Sequence, residues 1–145
     1  RRTGYRYCRR SLVQMVLQEL STAVQHDLPI KIFILNNEWM GMVRQWQELL
    51  HGGRYSSSYS EALPDFVKLA EAYGATGIRA EKPDELDDAI RKMMKTKGPV
   101  IFDCIVTKEE NCFPMIPSGA AHNNMLLADD QGMDVEVSDA GKVMV

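Results

Sequence analysis

The sequence has few of the residues that build metal clusters or disulfide frameworks. Its 145 residues include three cysteines and three histidines. They are widely dispersed, with no Cys-x-x-Cys spacing: Cys8, Cys104, Cys112, His26, His51 and His122. This pattern supports neither a zinc site nor a disulfide framework, and it is typical of reduced thiols in a cytoplasmic protein.

Long hydrophobic runs are also missing. No apolar segment approaches the roughly 18 residues that a membrane-spanning helix needs. The first residues contain no apolar signal core behind their arginines, so no secretory peptide is predicted. An apolar content of 45% and a charged content of 26% are typical of one soluble domain with a sizeable core.

Acidic residues are absent from the first ten positions, although the whole chain has a net charge of −3. The same segment contains five arginines: Arg1, Arg2, Arg6, Arg9 and Arg10. A basic arm can bind nucleic acid or an acidic surface, but a solvated tail is the commoner interpretation of such a segment.

The rest of the chain alternates between helical and strand patterns. Apolar residues recur at helical spacing over 13–26, and the β-branched run at 30–35 is typical of a buried strand. The other predicted elements are helices over 39–50, 64–73 and 83–94, a polar loop over 51–60, and strands over 75–79 and 100–106. This order predicts an α/β fold, an incomplete doubly wound parallel sheet with helices on both faces.

The most promising binding residues follow the strand at 30–35. In parallel sheets, ligands bind beyond the carboxyl ends of the strands. Asn36, Asn37, Glu38 and Gly41 occupy that position. An asparagine pair after a strand is, by itself, most often only a turn former.

Three sequence blocks give this turn a more specific interpretation. Residues 36–46 (Asn-Asn-Glu-Trp-Met-Gly-Met-Val-Arg-Gln-Trp) resemble the end of the thiamine-diphosphate motif of acetohydroxyacid synthases, also called acetolactate synthases. Residues 64–74 continue the match, and residues 113–119 (Phe-Pro-Met-Ile-Pro-Ser-Gly) resemble the C-terminal active-site arm of this family. The similarity runs from about Val13 to Leu127 and identifies the chain as resembling the C-terminal part of the large catalytic subunit.

The resemblance implies a magnesium site at Asn37 and at the backbone carbonyl of Trp39. In the family, Mg²⁺ bridges the two phosphates of thiamine diphosphate. Mg²⁺ is a hard cation that prefers oxygen ligands in octahedral geometry, and the amide oxygen of an asparagine meets this need.

The resemblance also assigns contacts with the cofactor and the substrate. Gly41, Met42 and Val43 would contact thiamine diphosphate, and Trp46 and Ser118 would line the pocket for the second 2-ketoacid and for inhibitors. On spacing alone, Met42 and Trp46 are equally well ordinary core residues, and Ser118 is more simply a loop hydroxyl. No catalytic residue is assigned to this chain, because the family's cofactor-activating glutamate and its FAD site belong to other domains.

The implied reaction is the decarboxylation of pyruvate and its condensation with a second 2-ketoacid, such as 2-ketobutyrate. It belongs to the biosynthesis of valine, leucine and isoleucine. The parent enzyme would be an oligomer with a regulatory small subunit and no membrane partner, and the chain alone is expected to be inactive. The alternatives are another thiamine-diphosphate carboligase or oxidase, or a non-catalytic binding or dimerisation module.

One part of the family pattern is missing. The motif begins with Gly-Asp, and stepping back 27 positions from Asn37 reaches Arg10 instead of that aspartate. A fixed cation about 4 Å from Mg²⁺ would cost roughly 8 kcal/mol at an effective dielectric constant of ~20, as an upper bound. The strand expected before the first helix is not predicted either, which would leave an exposed sheet edge and a poorly soluble chain.

A one-base frame shift is one explanation for this departure. Codons for residues 5–10 can be chosen so that a reading one base later gives Ile-Asp-Ile-Ala-Gly and the start of an acidic codon. The expected organisation is therefore an aberrant Arg-rich segment at 1–12, a partial diphosphate- and Mg²⁺-binding α/β domain at 13–110, and a C-terminal arm and tail at 111–145.

Overall fold

The fold is built on one parallel sheet. The computed structural model describes the backbone of residues 4–9 and all of residues 13–128. The strands are β1 (Gly4–Arg9), β2 (Ile30–Asn36), β3 (Thr76–Ala80) and β4 (Val100–Ile105). The helices are α1 (Glu19–Gln25), α2 (Gly41–Leu50), α3 (Phe66–Ala72) and α4 (Leu86–Lys95), with 3₁₀ turns at Pro83–Glu85 and His122–Asn124.

The strands lie in the order β1-β2-β4-β3, and every neighbouring pair is parallel. Because side chains alternate along a strand, adjacent residues face opposite sides of the sheet. Phe33 and Phe102 pack with Met93 of α4 in one core cluster, whereas Ile34 and Ile101 belong to a second cluster. The second cluster also contains residues of α1 and α3. The predicted parallel sheet with helices on both faces is therefore confirmed.

The chain divides into two compact units. The sheet unit comprises Arg1–Glu38 and Ser60–Lys108 and contains all four strands. The arm unit comprises Trp39–Tyr59 and Glu109–Val145 and contains α2.

A strand does precede the first helix, so the prediction that it is missing was wrong. β1 pairs with β2 in parallel from Gly4 opposite Ile30 to Arg9 opposite Leu35. The ladder is made by backbone groups, and it needs no apolar side-chain run at the end of a sheet. Tyr5 and Tyr7 also favour extended structure, since aromatic residues are enriched in strands. The edge of β2 is therefore covered by β1, and residues 4–9 are not a solvated tail; Arg10 lies outside the described residues.

The first helix is shorter than the sequence predicted. Residues 13–26 carry the apolar pattern, but α-helix is found only at 13–14 and at Glu19–Gln25, and turns at 15–18 separate the two. The backbone amide of Val16 bonds the carbonyl of Val13 at 3.1 Å, and that of Leu20 bonds Leu17 at 3.0 Å. These bonds span three residues, as in tighter turns, and they still bury Val13 and Leu20.

Candidate functional site

The asparagine pair lies at the carboxyl edge of the sheet. β2 ends at Asn36, and its parallel neighbour β4 ends at Ile105. The backbone amide of Val106 extends this pairing by donating to the Asn36 carbonyl at 3.1 Å. The chain then turns at Glu38, whose φ of 62° lies in the left-handed region. The turn is therefore at the place where parallel sheets bind ligands.

The two asparagines of the pair lie in different environments. Asn36 is buried; its Nδ2 donates to Asp103 Oδ1 at 2.9 Å, and its Oδ1 accepts from the Glu38 amide at 3.3 Å. Asn37, the predicted metal ligand, is half-buried. Asn36 therefore builds the turn on which Asn37 is carried.

A chain of charged contacts leads from this turn across the sheet. Asp103 is 1% exposed, and its Oδ2 accepts from Arg79 Nε at 3.0 Å. Arg79 Nη2 donates to Asp65 Oδ1, also at 3.0 Å. Arg79 and Asp103 were not predicted from the sequence as residues that build this site. The available signal was a lone acid inside the apolar run at 100–106, because a buried carboxylate requires partners.

Asp65 also begins helix α3. Its side chain accepts from the backbone amides of Val67 at 3.0 Å and Lys68 at 3.3 Å. The Lys68 amide bond, followed by the charge of Arg79, holds the pKa of the Asp65 carboxyl below its usual value. Pro64 therefore precedes the helix cap instead of lying in the first turn, whereas Gly74, with a φ of 81°, ends the helix as predicted.

In the arm unit, helix α2 buries its polar side chains and exposes apolar ones. Arg44 is 4% and Gln45 is 1% exposed, whereas Met42 is 41%, Val43 46% and Trp46 36% exposed. Of the two interpretations that the spacing left open for Met42 and Trp46, that of ordinary core residues was therefore wrong. The physical reason is that the arm offers backbone polar groups, which need hydrogen-bond partners more than apolar contact.

Gln45 and Arg44 supply these partners. Gln45 Nε2 donates to the Cys112 carbonyl at 3.0 Å and contacts Met115 Sδ at 3.0 Å, while its Oε1 accepts from the Cys112 amide at 2.7 Å. Arg44 Nη1 donates to the Glu109 carbonyl at 3.1 Å and to Asn111 Oδ1 at 3.0 Å.

Trp39 lies in an aromatic cluster at the start of α2. The Arg44 guanidinium lies 5.6 Å from the Trp39 ring centre and 5.8 Å from that of Tyr55, within cation–π range. Arg44 also pairs with Glu48. The Tyr59 ring is 4.9 Å from Trp39, and the two residues form an antiparallel bridge.

Ser118, the predicted pocket hydroxyl, is half-buried in a loop of the arm. The loop is closed where the Met115 amide donates to the Leu126 carbonyl at 3.0 Å and the Leu126 amide donates back at 2.7 Å. The predicted residues in the arm unit are Trp39, Gly41, Met42, Val43, Trp46 and Ser118, whereas Asn37 belongs to the sheet unit.

The described residues fit one part of a magnesium diphosphate site. Asn37, at the carboxyl end of β2, carries a neutral amide oxygen, which is a hard donor of the kind that suits Mg²⁺. Within residues 13–128, no three His, Cys, Asp or Glu side chains are grouped as a metal cluster. The resemblance places Arg10 where the family has its acidic ligand, and Arg10 lies outside the described residues.

No helix in the described part of the chain is long and apolar enough to cross a membrane.

Comparisons with known proteins agree with this geometry. Residues 11–104 match the family model described as the C-terminal TPP binding domain of thiamine pyrophosphate enzymes. The chain is 49% identical over 114 residues to the acetolactate synthase large subunit of Cyanidium caldarium, covering 78% of this chain and 20% of that protein. It is 42% identical over 119 residues to the isozyme 3 large subunit of Escherichia coli K12, covering 80% and 21%.

The fold is also similar to a solved structure, benzoylformate decarboxylase from Polynucleobacter necessarius. The TM-score is 0.69 at 26% identity, over 77% of this chain and 21% of that one. The chain thus spans about one fifth of the length of the relatives it matches. With the family model covering most of the sheet unit and α2, this chain belongs to the C-terminal thiamine-pyrophosphate-binding domain family of thiamine pyrophosphate enzymes.

Proposed function

We propose that this chain is the cofactor-diphosphate-binding part of an acetolactate synthase large subunit. The observation that carries the proposal is the Gln45 contact with Cys112 and Met115. Gln45 belongs to the segment at 36–46 and Met115 to the segment at 113–119, which are the two segments most typical of acetolactate synthases, and both residues lie in the arm unit. The identity of 42–49% to large subunits of that name supports the same conclusion.

In this proposal, Asn37 and the Trp39 carbonyl bind Mg²⁺, and Gly41, Met42 and Val43 contact the cofactor. Thiamine diphosphate supplies the carbanion chemistry that decarboxylates pyruvate, whereas the protein supplies orientation and electrostatics. Trp46 and Ser118 line the pocket for the second 2-ketoacid. The exposure of Met42, Val43 and Trp46 supports these roles, because a side chain that contacts a ligand must be accessible.

The whole enzyme, in this proposal, condenses pyruvate with pyruvate or 2-ketobutyrate for branched-chain amino-acid synthesis. It is a cytoplasmic oligomer that binds FAD outside this chain and associates with a regulatory small subunit. The 145 residues by themselves are expected to form no acetolactate, because the cofactor-activating glutamate of the family lies in another domain.

Calorimetric titration of the chain with thiamine diphosphate tests the binding role. We expect weak binding in Mg²⁺, because Arg10 stands where the family has an acidic ligand. Arg10→Asp should tighten Mg²⁺-dependent binding at least about tenfold, since it replaces a repelling cation with an oxygen ligand. Arg6→Asp makes the same charge change elsewhere in the segment and should have a much smaller effect.

Asn37→Leu in the Arg10→Asp background should remove the Mg²⁺-dependent part of the affinity. If Arg10→Asp and Arg6→Asp tighten binding equally, or if Asn37→Leu changes nothing, the proposed metal site is wrong.

A chimeric enzyme tests the activity. Residues 11–145 would replace the matching segment of the Escherichia coli isozyme 3 large subunit, and acetolactate formation from pyruvate would be measured. We expect activity, and a condensation product with 2-ketobutyrate would distinguish an acetolactate synthase from another carboligase or oxidase. A chimera that starts at residue 1 should be much less active, because it carries Arg9 and Arg10 into the metal motif. A stable but inactive chimera starting at residue 11 would contradict the proposal.

A further inference from the structure

Asp103 is the least expected side chain of the sheet. It lies in β4, whose other residues are apolar, and it is 1% exposed. A buried carboxylate is strongly unfavourable unless it is well paired. Both of its oxygens are used: Oδ1 accepts from Asn36 Nδ2 at 2.9 Å and Oδ2 from Arg79 Nε at 3.0 Å. Each oxygen therefore fixes the orientation of one polar partner.

Asn36 links Asp103 to the backbone of the turn at Glu38. An asparagine amide has one donor group and one acceptor group. Because Nδ2 is directed to Asp103, Oδ1 is turned to the Glu38 amide, from which it accepts at 3.3 Å. An aspartate here would place two carboxylates together, and an aliphatic residue would leave Asp103 without one of its partners.

The conformation of Glu38 needs such support. Its φ of 62° is uncommon for a residue other than glycine. Lys108 Nζ donates to Glu38 Oε2 at 2.6 Å, and the Ser60 amide donates to the Glu38 carbonyl at 3.2 Å. The residues on both sides of Asn37 are thus fixed, which sets the direction in which the Asn37 backbone presents its side chain.

We infer that Asp103 is a positioning residue, which acts through Asn36 to shape the 36–38 turn and so orients Asn37 toward the metal. The link to the metal rests on the proposed function, whereas the control of the turn does not. Arg79 completes this hydrogen-bond network, since its Nε donates to Asp103 Oδ2 and its Nη2 to Asp65 Oδ1, each at 3.0 Å. The first asparagine of the pair shapes the turn, and the second is the metal ligand of the proposed function.

Exchange of the two side chains tests this inference. In Asn36→Asp two carboxylates repel each other, and in Asp103→Asn one of the two contacts becomes donor against donor. The double variant, which combines Asn36→Asp with Asp103→Asn, can form the whole network again. Its carboxylate at position 36 accepts from the amide at position 103 and from the Glu38 backbone, and the amide oxygen at position 103 accepts from Arg79. Even if a single variant folds poorly, the exchanged pair keeps the test decisive.

The first readout needs no cofactor. Hydrogen exchange of the Glu38 amide should be at least about tenfold faster in Asp103→Asn than in the unaltered chain, and close to its original rate in the exchanged pair. Ile101→Ala removes a buried neighbour of Asp103 on β4 without touching the turn, and it serves as a control for general destabilisation. The inference is overturned if the exchange rate of the Glu38 amide is unchanged in both single variants. It is also overturned if this rate increases no more in them than in Ile101→Ala.

The second readout is Mg²⁺-dependent affinity for thiamine diphosphate in the Arg10→Asp background. Asp103→Asn should weaken it about tenfold, the exchanged pair should restore it to within about threefold, and Ile101→Ala should leave it nearly unchanged. Unchanged affinity in Asp103→Asn, despite an altered turn, would refute the orientation of Asn37. If no background binds the cofactor while Glu38 exchange behaves as expected, the proposed metal role fails and the control of the turn by Asp103 stands.

Discussion

The side chain of Gln45 holds both backbone groups of Cys112. Its Nε2 donates to the Cys112 carbonyl at 3.0 Å, and its Oε1 accepts from the Cys112 amide at 2.7 Å. The two residues are 67 positions apart in the sequence. Helix α2 thereby holds the beginning of the C-terminal arm, because one side chain bonds both the carbonyl and the amide of the same residue, as a neighbouring strand would.

Loss of this contact should loosen the arm. Gln45→Leu removes both bonds and should lower the free energy of unfolding by about 1–3 kcal/mol, since each net hydrogen bond contributes roughly 0.5–1.5 kcal/mol. Limited proteolysis should then cut residues 113–128 sooner than in the unaltered chain. Gln47→Leu is the matched control on the same helix. Gln47 forms hydrogen bonds with Ser56 and Ser58 in the 51–60 loop, and not with the C-terminal segment that begins at residue 111. Equal protection of the arm in both variants would contradict this prediction.

Acid should weaken the sheet unit partly through Asp65. The pKa of its carboxyl is lowered in the folded chain, first by the Lys68 amide bond and further by Arg79. A lowered folded pKa stabilises the fold above the unfolded value, and this contribution is lost as the pH falls through the folded pKa. The thermal midpoint should therefore drop with acidification below about pH 4, the ordinary range of an aspartate.

Asp65→Asn should show a smaller drop over the same pH window, because asparagine still caps the helix but does not titrate. Glu61→Gln removes one exposed carboxylate without affecting the cap, and its acid profile should match that of the unaltered chain. Identical profiles for all three proteins would show that Asp65 makes no contribution.

Gly77 of β3 lies directly against the backbone of α3. A Cβ at this position would lie 2.7 Å from both the Val67 Cα and the Val67 carbonyl oxygen. Since these are backbone atoms, Gly77→Ala should displace the helix and lower the free energy of unfolding by about 2–3 kcal/mol in urea denaturation. Gly53→Ala is the control: it has nothing within 4 Å, and only its φ of 69° opposes the substitution, at about 1 kcal/mol. A smaller loss for Gly77→Ala than for Gly53→Ala would be inconsistent with this packing.

The coding DNA for residues 1–15 tests the frame-shift hypothesis. We expect that a reading one base later gives Ile-Asp-Ile-Ala-Gly-Asp, which contains the acidic ligand absent at Arg10. Codons that cannot produce this alternative would eliminate the hypothesis. The strand at Gly4–Arg9 would then be encoded as it stands, with its arginines belonging to the genuine sequence.

Local patterns were sufficient for most of the sheet and for the family. The β-branched run before Asn36 and the apolar run after Pro99 predicted β2 and β4, because buried parallel strands must be apolar on both faces. The motif from Asn36 to Trp46 was enough to indicate the thiamine-diphosphate resemblance. These features depend on neighbouring residues, and the sequence displays neighbours directly.

Only the tertiary structure decided what depends on distant partners. β1 was missed because its pairing with β2 is made by the backbone and leaves no apolar signature in residues 4–9. The burial of Gln45 and Arg44 on α2 could not be predicted, because their hydrogen-bond partners lie more than 60 residues away in the sequence. The contact of Asn36 with Asp103 likewise spans 67 positions. The sequence around a polar residue does not show whether the fold will supply a buried hydrogen-bond partner for it. The burial of such a residue is therefore determined by the tertiary structure and not by its neighbours in the sequence.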